Sequence, residues 1–352
     1  MKYSSNKITK AGMTILSSTN KDEYSKAVEV INDWRSLHLP VLDELKNAII
    51  PMLLKNKIRL YFVSHRLKRF SSIQNKLDRN PKSKLGTLQD IGGLRIVVPT
   101  MNVLNKALAI ITENIPEHFV LTKAPVSYIE TPKKISGYRS VHFVYKYHSD
   151  NNDVDGVKIE LQLRTKLQHS WAMAVETAEL ITNSALKASQ GDKEWMEFFK
   201  IVSSLFAIKE NSPILEEYKD KGYDKRSLMK ELYRLNKEHM FNDKLKAISI
   251  STNFAKKDKY KDGYYILNIN FELKKVSVKA FPKEDEKKAS EFYSRLEKGL
   301  DDRKNAVVLV SVPKIQELQE AYPSYFLDTT HFLIEVDKMI SDCKKFGLIS
   351  KK

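Results

Sequence analysis

Apolar residues recur at helical spacing over the first part of the chain and at alternating spacing over the middle. From Asn20, which with Glu23 three residues on resembles a capping box, Ala27, Val30, Ile31 and Trp34 predict an amphipathic helix. Pro40 interrupts it. Val41, Leu42, Leu45, Ala48, Ile49, Met52 and Leu53 predict a second helix, and a basic stretch from Lys57 to Arg79 predicts a third. Residues 1–19 are polar and patternless, which predicts a flexible tail.

From Leu94 the period changes. LRIVV, VSYIE, YRSVHFVYKYH and VKIELQLR read as strands, with NVLNKALAIITENI as a helix between the first two. Asn151 to Gly156 concentrates turn residues and predicts an antiparallel pairing of the strands on either side. Residues 166–241 return to helical spacing through Trp171, Val175, Ile181, Trp195, Phe198, Phe199 and Phe206. A domain boundary is expected near 242. Beyond it, YYILNINF, VSVKAF and NAVVLVSV predict strands, EDEKKASEFYSRLEKGL a helix, and further helix runs to the end. The expected fold class is α+β: a mixed sheet flanked by helices over 20–241, and a small α+β unit over 242–352.

Composition narrows the partners. The 352 residues hold 60 Lys and Arg against 44 Asp and Glu, and a formal charge of +16 argues for a polyanion. Nucleotide, RNA and acidic membrane all answer to that charge. There is no apolar run of a membrane span's length and no secretory pattern, so the expected location is the cytoplasm. Cys343 is the single cysteine, which excludes an internal disulfide or a Cys-rich zinc site.

Alternation places Glu160, Gln162 and Arg164 on one face of a strand, opposite Ile159, Leu161 and Leu163. An amphipathic strand with a wet outer face has the same pattern. On the neighbouring strand Tyr138, Ser140 and His142 share a side. Arg66, Lys68, Ser72, Ile73, Lys76 and Arg79 form a basic cluster, suited to phosphate oxygens or to a solvated face. Asp90, just before a strand and next to Gly92 and Gly93, suits either a turn cap or a hard cation. Together with Glu160 it makes up the one or two carboxylates that Mg²⁺ takes.

The ordered set RLKRFSSIQNKLDR (66–79), DIGGLRIVV (90–98), TPKKISGYRSVHF (131–143) and VKIELQLRT (157–165) closely resembles the synthetase domain of the RelA/SpoT alarmone-synthetase superfamily, and QHSWAMAVET (168–177) extends the match. The resemblance implies a nucleotidyltransferase-like core and an ATP:nucleotide 3′-pyrophosphotransferase. It implies that Arg66 and Arg95 bracket adenine, that Lys68, Ser72 and Lys76 hold the ATP phosphates, and that Asp90 and Glu160 bind Mg²⁺. Glu160 would also be the base. Tyr138 would stack on the acceptor base, with Lys133, His142, Gln162 and Arg164 around it. Many guanosine-accepting members read PK-x-NGY where this chain reads PKKISGY, with Ser136 in the Asn position and one extra residue after Lys134.

NDWRSLHLPVL (32–42) resembles the leading helix of toxic small alarmone synthetases, and AYPSYFLDT resembles the fused antitoxin region of CapRel proteins. That likeness implies a tRNA 3′-end pyrophosphotransferase that blocks translation in anti-phage defence. A metal-free pseudo-zinc-finger domain over 242–352 would restrain it, with Tyr322 and Tyr325 in the adenine pocket, until a phage protein such as a capsid protein binds. The alternatives are an enzyme pyrophosphorylating GDP, GTP or an adenine nucleotide, and an inactive RNA-binding or phage-sensing module.

Overall fold

The structure, a computed structural model, describes residues 2–182, 193–239, 241–242, 245, 263–270, 275–298, 305–312 and 329–345. Helices α1 (Ser5–Ser17), α2 (Lys21–Ser36) and α3 (His38–Lys55) come first, followed by β1 (Phe62–Leu67) and α4 (Phe70–Arg79). Then follow β2 (Gly92–Val98), α5 (Met101–Asn114), β3 (Phe119–Leu121), β4 (Val126–Ser127), β5 (Val141–Tyr147) and β6 (Lys158–Thr165). Four helices come next: α6 (Lys166–Thr182), α7 (Lys193–Lys209), α8 (Glu216–Asp220) and α9 (Lys225–His239). The last described elements are β7 (Gly263–Asn270), β8 (Lys275–Pro282), α10 (Glu286–Glu297), β9 (Asn305–Val312) and α11 (Thr330–Lys345).

The strands form one mixed sheet in the order β3-β5-β6-β2-β1-β9-β7-β8, with β4 beside β5. Only β2 and β6 run parallel among the described pairings; β5 and β6 are antiparallel, joined by the turn at 151–156. Ile159, Leu161 and Leu163 pack with Leu42, Leu45 and Ile49 of α3 and Leu104 and Ala107 of α5. That leaves Glu160, Gln162 and Arg164 on the opposite face, as the alternation predicts.

Three expectations are corrected. Residues 1–19 are not a loose tail: Ser4 caps α1, and Ile8, Ala11 and Ile15 are buried against α2, α4 and Leu85. Their i, i+3, i+7 spacing is an apolar stripe that the surrounding polar residues obscured. Nor is Lys57–Arg79 one helix. Phe62–Leu67 is a strand because it pairs along its length with β2, from Phe62↔Val97 to Leu67↔Gly92, so tertiary pairing overrides a helix-compatible pattern. Finally, VSYIE is a strand only at Val126–Ser127.

The strands after residue 242 do not make a separate sheet. β9 pairs with β1 at His65↔Ser311 and Arg66↔Val310, and β7 and β8 extend the sheet from there. The apolar side of α10, with Ala289 and Tyr293, packs among Tyr264, Ile266, Val307 and Leu309 in the same core as α3. Helix α11 goes elsewhere: Phe332, Leu333, Val336 and Cys343 are buried with Trp195, Phe198, Phe199 and Phe206.

Candidate active site

The polar face of β6 shares one side of the sheet with parts of its neighbours. Parallel pairing sets Gly93 beside Glu160 and Arg95 beside Gln162; antiparallel pairing sets His142 beside Gln162, Arg66 beside Gly93 and Ser64 beside Arg95. Arg66, Arg95, His142, Glu160, Gln162 and Arg164 therefore belong to a single face. The two adjacent glycines differ in role. A Cβ on Gly92 would press on His38 and Leu42 at 3.1 and 3.2 Å, so that glycine admits α3, while Gly93 leaves bare floor between Arg66 and Glu160.

A hydrogen-bonded chain runs along this face. Glu160 Oε1 lies 2.7 Å from His142 Nδ1, and its Oε2 accepts from Gln162 Nε2 at 2.7 Å. Gln162 Oε1 accepts from Arg164 at 2.6 Å, and the same guanidinium donates to the Tyr138 hydroxyl at 2.5 Å. That hydroxyl meets His142 Nε2 at 2.8 Å, which closes the circuit. The Glu160 side chain is 16% exposed. Burial raises its carboxyl, but the His142 contact and charge and the Gln162 amide outweigh this and hold it below the ordinary glutamate range.

The second group is basic around one acid. Lys68 Nζ is 2.8 Å from Asp90 Oδ2, and Lys76 Nζ is 3.0 Å from both Asp90 oxygens. Burial again raises the carboxyl, while the two ammonium groups lower it further than burial raises it. Lys68 sits at the corner between β1 and α4, and Lys76 lies one turn past Ser72 on α4. The clamp is a strand, a corner and a helix rather than three turns of one helix.

Both groups line one cleft of about 660 Å³. Lys133 also enters it. Its Nζ lies 4.9 Å from the Tyr128 ring and 5.3 Å from the Tyr138 ring. Burial, ahead of the attraction of Glu160, lowers its pKa, so the ammonium is poised to gain from an anion. Its loop is tied down by buried Arg139, which donates to Ser203 Oγ and to the Ile129 carbonyl.

Of the expected residues, Lys68, Lys76, Asp90, Lys133, Tyr138, His142, Glu160 and Gln162 meet in the cleft. Arg164 stands behind Tyr138, its guanidinium 5.0 Å from that ring. Arg66, Arg95 and Ser72 are on the adjoining strands and helix, outside the cleft lining. Tyr138 is only 8% exposed, whereas Tyr128 is half-buried at the same wall. The sequence reading missed Tyr128 and Lys123, which line the cleft too. Tyr128 had one available signal, its aromatic ring in a short strand-like run; Lys123 had none. Tyr322 and Tyr325 lie outside the described residues.

No cluster of three or more His, Cys, Asp or Glu side chains able to hold a metal occurs among the described residues. Asp90 and Glu160 nonetheless feel each other's charge. Two carboxylates plus phosphate oxygens are a donor set that suits Mg²⁺. Among the described residues no helix is long and apolar enough to cross a membrane.

Residues 65–181 match the region found in RelA / SpoT proteins. Among solved structures, small alarmone synthetase 2 from Bacillus subtilis is 23% identical, with a TM-score of 0.43 over 54% of this chain and 95% of that one. Small alarmone synthetase 1 from the same organism is 23% identical, with a TM-score of 0.42 over 53% and 93%. A GTP pyrophosphokinase family protein from Streptococcus pneumoniae is 22% identical, with a TM-score of 0.41 over 54% and 92%. A search of curated proteins gives no match.

Proposed function

We propose that this chain, residues 65–181 of which match the region found in RelA / SpoT proteins, is a pyrophosphotransferase that moves the β,γ-pyrophosphate of ATP onto the 3′-hydroxyl at the 3′ end of tRNA. The observation that carries the reading is the pairing, within one cleft, of a lysine-held Asp90 with a Glu160 fixed by His142 and Gln162. The acceptor oxygen bonds to the β-phosphorus, the bond from that phosphorus to the α–β bridging oxygen breaks, AMP leaves, and Glu160 takes the hydroxyl proton. Its lowered pKa keeps Glu160 ionised at neutral pH and makes it a weak proton acceptor, so its contribution comes from position.

Lys68 and Lys76 would turn from Asp90 to the ATP phosphates, and Arg66 and Arg95 would bracket adenine from the same sheet face. Ser72, one turn before Lys76 on α4, would join the phosphate contacts. Asp90 and Glu160 would hold Mg²⁺, which supplies charge neutralisation for the transferring group. Tyr138, Lys133, His142, Gln162 and Arg164 would form the acceptor side.

Two features favour tRNA. The chain is strongly basic, which gives sequence-independent affinity for a phosphate backbone. In the altered PKKISGY segment, the buried Ser136 hydroxyl accepts from Tyr138 N at 3.3 Å and so closes its own turn, leaving no side-chain amide there to read a guanine edge. Acting in the cytoplasm, such an enzyme would halt translation. On the CapRel resemblance, residues beyond 242 would restrain it, through Tyr322 and Tyr325, until a phage protein engages them. The same cleft would serve a GDP, GTP or adenine-nucleotide acceptor, a reading that the superfamily match supports equally. Chromatography of products from labelled ATP offered tRNA and free nucleotides together tests the choice: label in tRNA supports the proposal, and label in a free nucleotide alone refutes it.

A further inference from the structure

Helix α4 carries Ser72 and Lys76, yet its cap residue, Arg69, makes no side-chain cap hydrogen bond. The missing acceptor comes from the far end of the chain. Glu297, at the end of α10, accepts from Phe70 N at 3.0 Å through Oε1. Its other oxygen lies 2.9 Å from Arg35 Nη1 of α2. The Arg35 side chain is only 1% exposed, and its Nη2 donates to the Lys68 carbonyl and to the Tyr293 hydroxyl, both at 2.7 Å. Tyr293 in turn donates to Glu297 at 2.5 Å. Lys68 N donates to the Ile91 carbonyl at 2.7 Å, next to Asp90.

The corner from Lys68 to Phe70 is thus gripped from three elements. Its amide is held by Ile91 just ahead of β2, its carbonyl by α2 and the next helix's first N–H by α10. A carboxylate at a helix N-terminus satisfies an orphan donor and complements the helix dipole. A buried ion pair is a poor means of merely gluing α10 in place, because apolar groups of similar volume do that at no desolvation cost. This one directs both charges onto the backbone of the phosphate clamp.

We propose that Arg35 and Glu297 are positioning residues for ATP, through which docking of the C-terminal segment sets the Lys68 corner and the orientation of α4. The role in ATP binding rests on the function proposed above; the mechanical coupling does not. Arg35 and Glu297 are engaged with the Lys68 carbonyl and Phe70 N, so they act on the clamp through its backbone.

The test uses the full chain with Glu297→Ala and Glu297→Gln, the latter keeping an oxygen for Phe70 N and so folding if the alanine variant does not. Amide hydrogen exchange over residues 68–79 is compared with exchange over α5. In Glu297→Ala, exchange over 68–79 should rise about tenfold while α5 is unchanged, as one lost helix cap implies, with the glutamine variant in between. ATP affinity should fall about fivefold to tenfold, while kcat at saturating ATP changes less than about twofold. Unchanged exchange over 68–79 in both variants, or an equal rise in α5, overturns the proposal. So does faster exchange over 68–79 with unaltered ATP affinity. If the wild-type chain binds no ATP, the functional reading falls, and the exchange pattern alone still decides whether Glu297 positions the corner.

Discussion

His142 Nδ1 lies 2.7 Å from Glu160 Oε1, while His142 Nε2 meets the Tyr138 hydroxyl at 2.8 Å. One imidazole thus links the proposed base to the proposed acceptor wall. Because that contact and its charge help hold the Glu160 carboxyl below its ordinary value near 4.5, the ionised form persists as pH falls through the usual carboxylate range. A depressed folded pKa contributes stability above the unfolded value that is lost as pH drops through the folded one. The acid limb of kcat/KM should therefore lie below the ordinary glutamate value, and His142→Asn should move it upward. An acid limb unmoved by the substitution would show that Glu160 ionisation does not govern the rate.

Glu160→Gln should abolish transfer and leave the fold intact, since the side chain projects from the polar face of β6 and its volume is kept. The loss should be a factor of about 10² to 10⁴, with little change in melting temperature. A variant that labels acceptor at more than a few per cent of the wild-type rate would remove Glu160 as the base.

Tyr138→Ala should weaken acceptor use more than ATP use, because base stacking contributes roughly 1–3 kcal/mol. The ring is largely covered, with Lys133 and Arg164 cations within 5.3 and 5.0 Å of its centre, so Tyr128→Ala tests whether the more open ring shares the load. Equal losses for ATP and acceptor in both variants would count against an acceptor wall here.

The N-terminal helix should matter for stability. Ile8 is 1% exposed in the cluster with Trp34, Ile73 and Leu77, and Ile8→Ala should cost about 2–4 kcal/mol in denaturant unfolding. A cost below about 0.5 kcal/mol, in the range of surface substitutions, would show that α1 does not pack there.

Tyr322→Ala with Tyr325→Ala tests restraint of the enzyme by its C-terminal segment. The double variant should be toxic to cells at expression levels where the wild type is tolerated. Point substitution is the sharper tool, since deleting everything beyond 242 also removes β9 from the edge of β1 and Glu297 from the first turn of α4. An early-melting, inactive double variant would point to core packing instead.

Period-2 alternation was enough to place Glu160, Gln162 and Arg164 together, because one face of β6 is buried and register is then fixed. Asn20 was equally legible: its Oδ1 accepts from Asp22 N and Glu23 N, although Glu23 reaches Ser18 rather than closing the box. β1 was not legible, since FVSHRL becomes a strand only through its pairing with β2. The joining of β9 to β1 and the reach of Glu297 to Phe70, across 227 positions, are long-range and leave no local pattern. Lys123 likewise reaches the cleft with no local signal, whereas Tyr128 stood in a strand-like run outside the recognisable motifs.

The most direct test of the central claim is to incubate the chain with bulk tRNA and γ-labelled ATP and to measure AMP formed against label incorporated. Intact transfer of the β,γ-pyrophosphate predicts one AMP per label in tRNA, with no labelling of tRNA trimmed of its terminal adenosine. ADP as the product, or undiminished labelling of the trimmed tRNA, would contradict it.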